Sequence, residues 1–369
     1  MRIPGRARVR ATVALLALLV CGSGSMAGPV SAAKFEFNSR PWLNLALETT
    51  KYIPGLPEVA QYVAGPSSLN YSGNLTFLLV GSDWRQNRGE RLDSILVMTI
   101  TGSKQIRAVS IPRDSGRIPI APSLGGGTYN GKINGMYQYF KNGQSRAVAM
   151  DKMVRQVEFL LGINIDYWGF VRFAGFDQLV DEVAGVKVDI DKELRDPKYI
   201  DKPGWPTGAR FVVENDANLR GADAERCYGG YPKPVTNWGP VMHCHRALVW
   251  VRSRKGGFVD GGTNNDYKRS ARQQRFIFDA IRRVTGDYGS GITASLRSRA
   301  NAMPNDISTN MPMDDGSLVA LYNKLKGSTF AGGAVFSPPT YAKHISGTSK
   351  NQLRLDVIRS LCNSWFDDA

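Results

Sequence analysis

Cysteine and histidine are scarce, with 4 and 3 in a chain of 369 residues. No Cys-x-x-Cys pair occurs. His243 and His245 flank Cys244, but only His344 remains elsewhere, so a zinc module is set aside as the organising feature. Long apolar runs are missing too. The apolar stretch near the start, Ala11 to Val20, is about ten residues, half of the roughly twenty a spanning helix needs. Nothing later is long and apolar enough to replace it. The absence of internal repeats and low-complexity tracts argues against solenoids and extended disorder. Acidic residues are outnumbered, 32 against 47 Lys and Arg, for a formal charge of +15. Yet 42% hydrophobic and 10% aromatic residues are the composition of a globular chain.

What is present starts with the first residues. Arg2, Arg6, Arg8 and Arg10 precede the apolar run, and small residues follow up to Val30-Ser31-Ala32-Ala33. This order predicts a secretory signal peptide over 1–32 cut near Ala32, with an uncleaved short anchor as the alternative. Cys21 follows Val20, which is bulky where a lipidation motif has a small residue. Export places the body outside the cytoplasm, secreted or at the outer face of the cytoplasmic membrane. It argues against nucleic acid as partner, and no helix-turn-helix is readable. The basicity then suits an anionic membrane surface or wall polymer. In an oxidising compartment, Cys227 and Cys244, close together in a loop-rich segment, are a candidate disulfide; two buried thiols are the alternative. Cys362, three residues before Trp365, reads as a buried small residue.

The body alternates strands and helices. Leu75–Val80, Ile95–Ile100 and Ile106–Ile111 are apolar runs without alternation, which suits strands covered on both faces. Ala147–Leu161 carries apolar residues at helical spacing and ends at Gly162. Tyr167–Val171 reads as a strand, Phe176–Val183 as a short helix, and Val186–Ile190 and Ala247–Val251 as further strands. Ser270–Val284 is helical. The predicted fold is α/β, a three-layer α/β/α sandwich with a mixed central sheet. The predicted organisation is a leader (1–32), an N-terminal extension (33–73), a catalytic domain (74–286) with an irregular insertion at about 191–242, and a C-terminal extension (287–369). That extension shows helical fragments and no readable motif.

Four charged segments stand out against this frame: Arg91-Leu92-Asp93-Ser94, Ser110-Ile111-Pro112-Arg113-Asp114, Val251-Arg252-Ser253-Arg254 and Asp266 to Gln274. Asp83 closes the first apolar run and Asp93 precedes the second. Two carboxylates at such strand ends suit Mg²⁺ or Mn²⁺, which take oxygen ligands and bridge phosphates; turn and capping roles are the simpler alternative. Arginine matches phosphate geometry best. Arg113 follows an apolar approach, and Arg252 and Arg254, two apart on a strand end, project the same way. Arg269 and Gln273, four apart, share a helix face, with Asp266 at the helix start, where anions are favoured. Arg272, Arg275, Arg282 and Arg283 read as a solvated face. Lys132, after the run Gly125-Gly126-Gly127, is a loop lysine or a phosphate ligand.

In this order the segments resemble the LytR–CpsA–Psr family of cell-wall glycopolymer ligases. The matching pieces are Gly81-Ser82-Asp83, Arg91-x-Asp93-Ser94, Ser110-Ile-Pro-Arg113-Asp114, Lys132-Ile-Asn134, Gly185-Val186-Lys187-Val188, Val251-Arg252-x-Arg254 and Asp266-Tyr-x-Arg269-x-x-Arg272-Gln273. The resemblance covers about residues 74–286. It implies a transferase that moves a polyprenyl-diphosphate-linked glycan onto peptidoglycan, meeting the membrane surface through its lipid substrate. It implies Asp83 and Asp93 as metal ligands for Mg²⁺ or Mn²⁺. Arg91, Arg113, Lys132, Arg252, Arg254, Arg269 and Gln273 would bind the diphosphate, with Arg91, Asp93 and Arg113 at the chemistry. No general base is evident beyond Asp93 or Asp114. The prenyl tail would need a groove between sheet and helices. Two departures stand: Met242-His243-Cys244 replaces the usual Leu-x-Gly turn, and the membrane anchor is short. A diphosphate hydrolase and a non-catalytic binder of anionic wall polymer are the competing functions.

Overall fold

The computed structural model describes residues 73–85, 89–183, 186–188, 194–196, 211–213, 241–242, 244–255, 257–258, 262–287 and 293–366. Residues 1–72, which include the expected leader, and most of the 191–242 segment, Cys227 included, lie outside the described residues. The proposed Cys227–Cys244 disulfide therefore lies outside them too.

From the N-terminus the elements are β1 (Leu75–Arg85), β2 (Gly89–Ile100), β3 (Gln105–Ser110), β4 (Gly116–Pro119), β5 (Thr128–Lys132), α1 (Met136–Lys141), α2 (Arg146–Leu161), β6 (Tyr167–Arg172) and α3 (Phe173–Glu182). Short strands β7 (Val186–Lys187), β8 (Leu194–Asp196), β9 (Phe211–Val213) and β10 (Val241–Met242) lead to α4 (Cys244–Arg252). Then come β11 (Gly257–Phe258), α5 (Asp266–Asp287), α6 (Thr293–Ala302), β12 (Ile307–Thr309) and α7 (Asp315–Leu325). The last elements are β13 (Thr329–Val335), β14 (Ala342–His344), β15 (Asn351–Leu353) and α8 (Leu355–Phe366).

The central sheet has six strands in the order β12-β6-β1-β2-β3-β13. β1 pairs β6 in parallel and β3 pairs β13 in parallel, while the other pairings are antiparallel, so the sheet is mixed. The unbroken apolar runs follow from burial on both faces. Leu96, Met98 and Ile100 point to one side, against α3, α4, α5 and α7; Ile95 and Val97 point to the other, against α1, α2 and α8. Each such side chain contributes about 1.5–3 kcal/mol by leaving water. This is the expected α/β/α sandwich. α2 begins where the Ser145 hydroxyl accepts the Val148 N–H at 3.3 Å and ends at Gly162, whose φ of 73° is the left-handed stop.

The structure corrects one element. Ala247–Val251 is not a strand; it lies inside α4. Five apolar residues fit either period, and here the buried set Ala247, Leu248, Trp250, Val251 has the i, i+1, i+3, i+4 spacing of a helix packed on a sheet. Beyond residue 287, β12 and β13 form the two edges of the central sheet, and Cys362 of α8 is fully buried in the second core cluster.

One charged group is sealed on the α1/α2 side. Glu90 is 2% exposed and accepts hydrogen bonds from Ser82 Oγ at 3.1 Å and Arg172 Nε at 2.6 Å, tying β1, β2 and β6 together. Lys141 Nζ approaches its second oxygen at 3.8 Å.

Candidate active site

β1 breaks register against β2 between Gly81 and Ser82. Irregularities of this kind re-aim side chains and recur beside active sites. A Cβ on Gly81 would sit 3.2 Å from the Ser94 Cβ, so the close strand approach suits glycine. Past the break Asp83 lies opposite Arg91, and Asp93 is two residues on, so the pleat sends all three to the same face.

Arg113 follows β3 in a turn closed by Ser115, whose hydroxyl donates to the Pro112 carbonyl at 2.7 Å. Its Nη1 reaches Asp93 Oδ1 at 2.6 Å and its Nε faces Asp266 Oδ1 at 3.5 Å. Asp266 opens α5, just after Asn265, whose side chain accepts the Lys268 N–H at 2.9 Å and caps the helix. One turn in, Arg269 is 3% exposed; its Nη2 meets Asp266 Oδ1 at 3.1 Å and donates to the Asp93 carbonyl at 2.7 Å. Two guanidiniums and two carboxylates thus interlock across three elements. Gln273, a further turn along, accepts from Ser94 Oγ at 3.0 Å and donates to the Val251 carbonyl at 2.9 Å, which joins β2 to α4.

Arg252 and Arg254 reach the site differently from the expected strand end. Arg252 is in the last turn of α4, its guanidinium 3.8 Å from the centre of the Phe173 ring, and Arg254 follows in the loop. The ring face attracts the cation and fixes its place. Arg272 is buried, not part of a solvated face. It donates to the Trp250 carbonyl at 3.0 Å, to Asn264 Oδ1 at 2.9 Å and to the Ser253 carbonyl, which holds the Arg252–Arg254 loop against α5.

A cavity of about 260 Å³ opens at this cluster, between the sheet and α3, α4 and α5. Its depth is apolar: Leu79, Leu96, Phe176, Leu248, Phe276 and Ile277. Its mouth carries Arg113, Arg252, Arg254, Lys255 and Arg269 against the carboxylates Asp83 and Asp93. Cations outnumber acids there, so a dianion is welcome, while the interior suits hydrocarbon. Seven of the residues singled out in the sequence (Asp83, Asp93, Arg113, Arg252, Arg254, Arg269 and Gln273) come together on this wall. Arg91 and Lys132 do not line it: Arg91 is exposed, and Lys132 ends β5 with its ammonium 2.7 Å from Asp114.

The charges inside are shaped by burial. Burial pushes the Asp266 carboxyl above the usual aspartate value, against the pull of Arg269 and Arg113. Burial lowers the Arg269 guanidinium, with Asp266 and Asp93 opposing. At Arg113 burial acts downward but is outweighed by Asp93, Asp266 and Asp114, so its proton is held more tightly than usual. The spacing of three between Asp266 and Arg269 at the helix start, visible in the sequence, is an ion pair in the structure. Phe173 as the seat of Arg252 had no signal, because its position next to α4 depends on the tertiary fold.

Asp83 and Asp93 are hard oxygen donors among the arginines that line the cavity. That fits Mg²⁺, which is commonly held by one or two carboxylates together with substrate phosphates and water. Among the described residues no group of three or more His, Cys, Asp or Glu could hold a metal, so the remaining ligands would be phosphate oxygens and water.

Comparison with known proteins follows the same direction. A family model described as the LytR_cpsA_psr family matches residues 57–332. The polyisoprenyl-teichoic acid–peptidoglycan teichoic acid transferase TagV of Bacillus subtilis (strain 168) is 32% identical over 301 residues, 79% of this chain and 64% of its own length. TagU of Bacillus cereus, with the same transferase description, is 32% identical over 132 residues, 36% of this chain and 39% of its own length. These matches span less than two thirds of either relative. The crystal structure of B. subtilis TagV superposes with a TM-score of 0.53 at 20% identity, covering 81% of this chain and 99% of that one, which shows the shared fold.

Proposed function

The chain belongs to the LytR–CpsA–Psr family, and from that premise we propose that it is an extracytoplasmic phosphotransferase attaching a polyprenyl-diphosphate-linked glycopolymer to peptidoglycan. The observation that carries this reading is the continuity of one cavity, apolar in depth and arginine-rich at its mouth. A prenyl tail would occupy the depth and a diphosphate the mouth. A binder of wall polymer needs neither an apolar recess behind its cations nor two carboxylates among them.

In the proposed reaction an acceptor hydroxyl of peptidoglycan attacks the phosphorus bearing the glycan. The bond to the bridging oxygen breaks, polyprenyl phosphate leaves with the electron pair, and a glycan–phosphate–peptidoglycan diester forms. Charge grows on the phosphoryl and leaving oxygens, so placement and cation stabilisation dominate. Arg113, clamped by Asp93 and Asp266, presents its guanidinium without reorganising. Arg269 is fixed at the helix start in the same way. Arg252, seated on Phe173, and Arg254 bound the opposite lip. A phosphate monoester leaves as an anion and needs no acid; the acceptor proton passes to water, since Asp93 is held by Arg113. Asp83 and Asp93 would hold Mg²⁺ or Mn²⁺, which when bound would neutralise charge on the phosphoryl oxygens. Extracytoplasmic placement rests on the sequence of residues 1–33. Among the described residues no helix is long and apolar enough to cross a membrane.

The test is transfer from a polyprenyl-diphosphate donor with a radiolabelled glycan to purified peptidoglycan in Mg²⁺. Label in peptidoglycan that is lost in Arg113→Ala and Asp93→Ala supports the ligase. Free labelled glycan with none attached makes the protein a hydrolase, and tight binding without turnover makes it a binder.

A further inference from the structure

The cavity and the arginines account for the donor by its tail and its diphosphate. The acceptor has no such handle, and a glycan strand arriving from the wall needs a surface of its own. A sugar ring offers one chemical feature that can be searched for. Its axial C–H bonds make an apolar, weakly positive face that settles on the negative face of an aromatic ring.

Among the described residues only Tyr139 and Val148 are large apolar side chains left exposed, Tyr139 at 52%. Tyr139 leaves α1 toward half-buried Tyr129 of β5, with ring centres 5.3 Å apart and planes tilted by 45°. The pair is built in from both sides. A Cβ on Gly131 would lie 2.5 Å from the Tyr129 ring and hydroxyl, and one on Gly135 would lie 3.0 Å from that hydroxyl. The ring therefore rests where those two glycines leave the backbone bare. Tyr139 is braced by Phe140 of the core, 5.4 Å between ring centres.

This pair adjoins the candidate active site through covalent and hydrogen-bonded structure. Tyr129 pairs in register with Ile118, and Lys132, at the end of the same strand, holds Asp114, the neighbour of Arg113. Ile118 is five residues beyond Arg113, so its Cα lies within about 17 Å of that of Arg113 at strand rise, and Tyr129 stands one strand spacing, about 5 Å, further on. That is the reach of a short run of sugars. Burial raises the Tyr129 hydroxyl and the charge of exposed Arg91 opposes it, so carboxylates on a peptide-bearing glycan would be met by that cation.

We propose that Tyr129 and Tyr139 form a stacking platform for the glycan strand of the peptidoglycan acceptor. The identity of that occupant rests on the ligase reading; its binding is measurable without turnover. The donor is already anchored twice, and an open ledge, unlike a pocket, admits a polymer along its length.

The experiment uses the full chain in mild detergent and, as probe, a soluble tetrasaccharide of alternating N-acetylglucosamine and N-acetylmuramic acid, read by titration calorimetry and by saturation transfer to its ring protons. Tyr139→Ala should weaken binding about five- to tenfold, the equivalent of an aromatic contact near the upper end of its range. Tyr139→Trp should restore it. In the transfer assay the acceptor KM should rise by a similar factor while the donor KM stays within about twofold. Unfolding curves for both variants check that an exposed position was changed without loss of fold. Unchanged binding in a Tyr129→Ala/Tyr139→Ala double variant overturns the proposal, as does wild type that fails to bind the probe. A rise in donor KM instead would assign the ledge to the donor glycan and overturn the proposal. Loss of self-association with probe binding intact would make it a protein contact and do the same. If the tetrasaccharide binds through these tyrosines but no label is transferred, the ligase reading fails and the platform stands.

Discussion

Glu90→Gln is the substitution whose effect the structure fixes most closely. The carboxylate is 2% exposed, and its partner Arg172, with a side chain 17% exposed, donates Nε at 2.6 Å. The amide keeps the shape and one acceptor oxygen, which still serves both Ser82 and Arg172 because both donate to the same Oε1. It removes the charge that compensates Arg172 and leaves Lys141 facing an N–H₂ group. Removing one member of a buried pair typically costs 3–5 kcal/mol, because the survivor stays desolvated and unbalanced. Arg172 also has Asp306 at 3.9 Å, so the lower end applies, about 3 kcal/mol. For a domain of this size each kcal/mol moves the midpoint by about 2 °C, so the thermal transition should fall by about 6 °C. Urea unfolding gives the free energy and calorimetry the midpoint. A Glu90→Leu/Arg172→Leu double variant, which removes both charges, should lose less than Glu90→Gln. A loss below about 1 kcal/mol for Glu90→Gln, or a double variant worse than the single, would refute this reasoning.

Phe173→Leu keeps the apolar bulk under Arg252 and removes the ring face; a contact of about 1 kcal/mol makes the donor KM rise about fivefold, and an unchanged KM would contradict the seat. Gly175→Ala places a Cβ 2.5 Å from Ile307 Cγ1 and 2.8 Å from the Asp306 carbonyl oxygen, backbone that cannot yield, so stability should drop by about 1–3 kcal/mol in urea unfolding. Burial raises the Asp166 carboxyl, against the hydrogen bond from the Thr76 N–H at 2.7 Å. Its contribution to stability is therefore whole below the ordinary aspartate value and lost as pH rises through its higher folded value. Asp166→Asn keeps an acceptor for Thr76 without the charge. It should equal or exceed wild type at pH 7 and lose that advantage in acid, and a large loss at pH 7 would contradict the burial argument.

How far the sequence carried these conclusions depends on which physical signal each element leaves. β1, β2 and β3 were legible because burial on both faces writes predominantly apolar runs of six without strict alternation. α4 was not, since five apolar residues fit a strand and a helix alike, and only its packing against α3 and α5 decides. β12 and β13 lie at the sheet edges. One is three residues long, and the other holds Gly332 and Gly333, so neither writes a run that could be noticed. At the site, Asp83, Asp93, Arg113, Arg269 and Gln273 were found as motifs, and the fold brings them to one wall. The recess behind them was invisible, because Leu79, Leu96 and Phe276 have the composition of ordinary core. Arg272 misled for the opposite reason: an arginine on a helix full of arginines reads as surface, and only the carbonyls of Trp250 and Ser253 explain its burial.

In the proposed reaction a polyprenyl diphosphate bound at this cavity is split by a peptidoglycan hydroxyl. The most direct measurement is the ratio of polyprenyl monophosphate released, by mass spectrometry, to glycan phosphate joined to peptidoglycan in the same reaction. One lipid monophosphate per joined glycan, with the ratio kept as turnover proceeds, is the predicted result. Monophosphate released without joined glycan, or polyprenyl diphosphate as the lipid product, would contradict it.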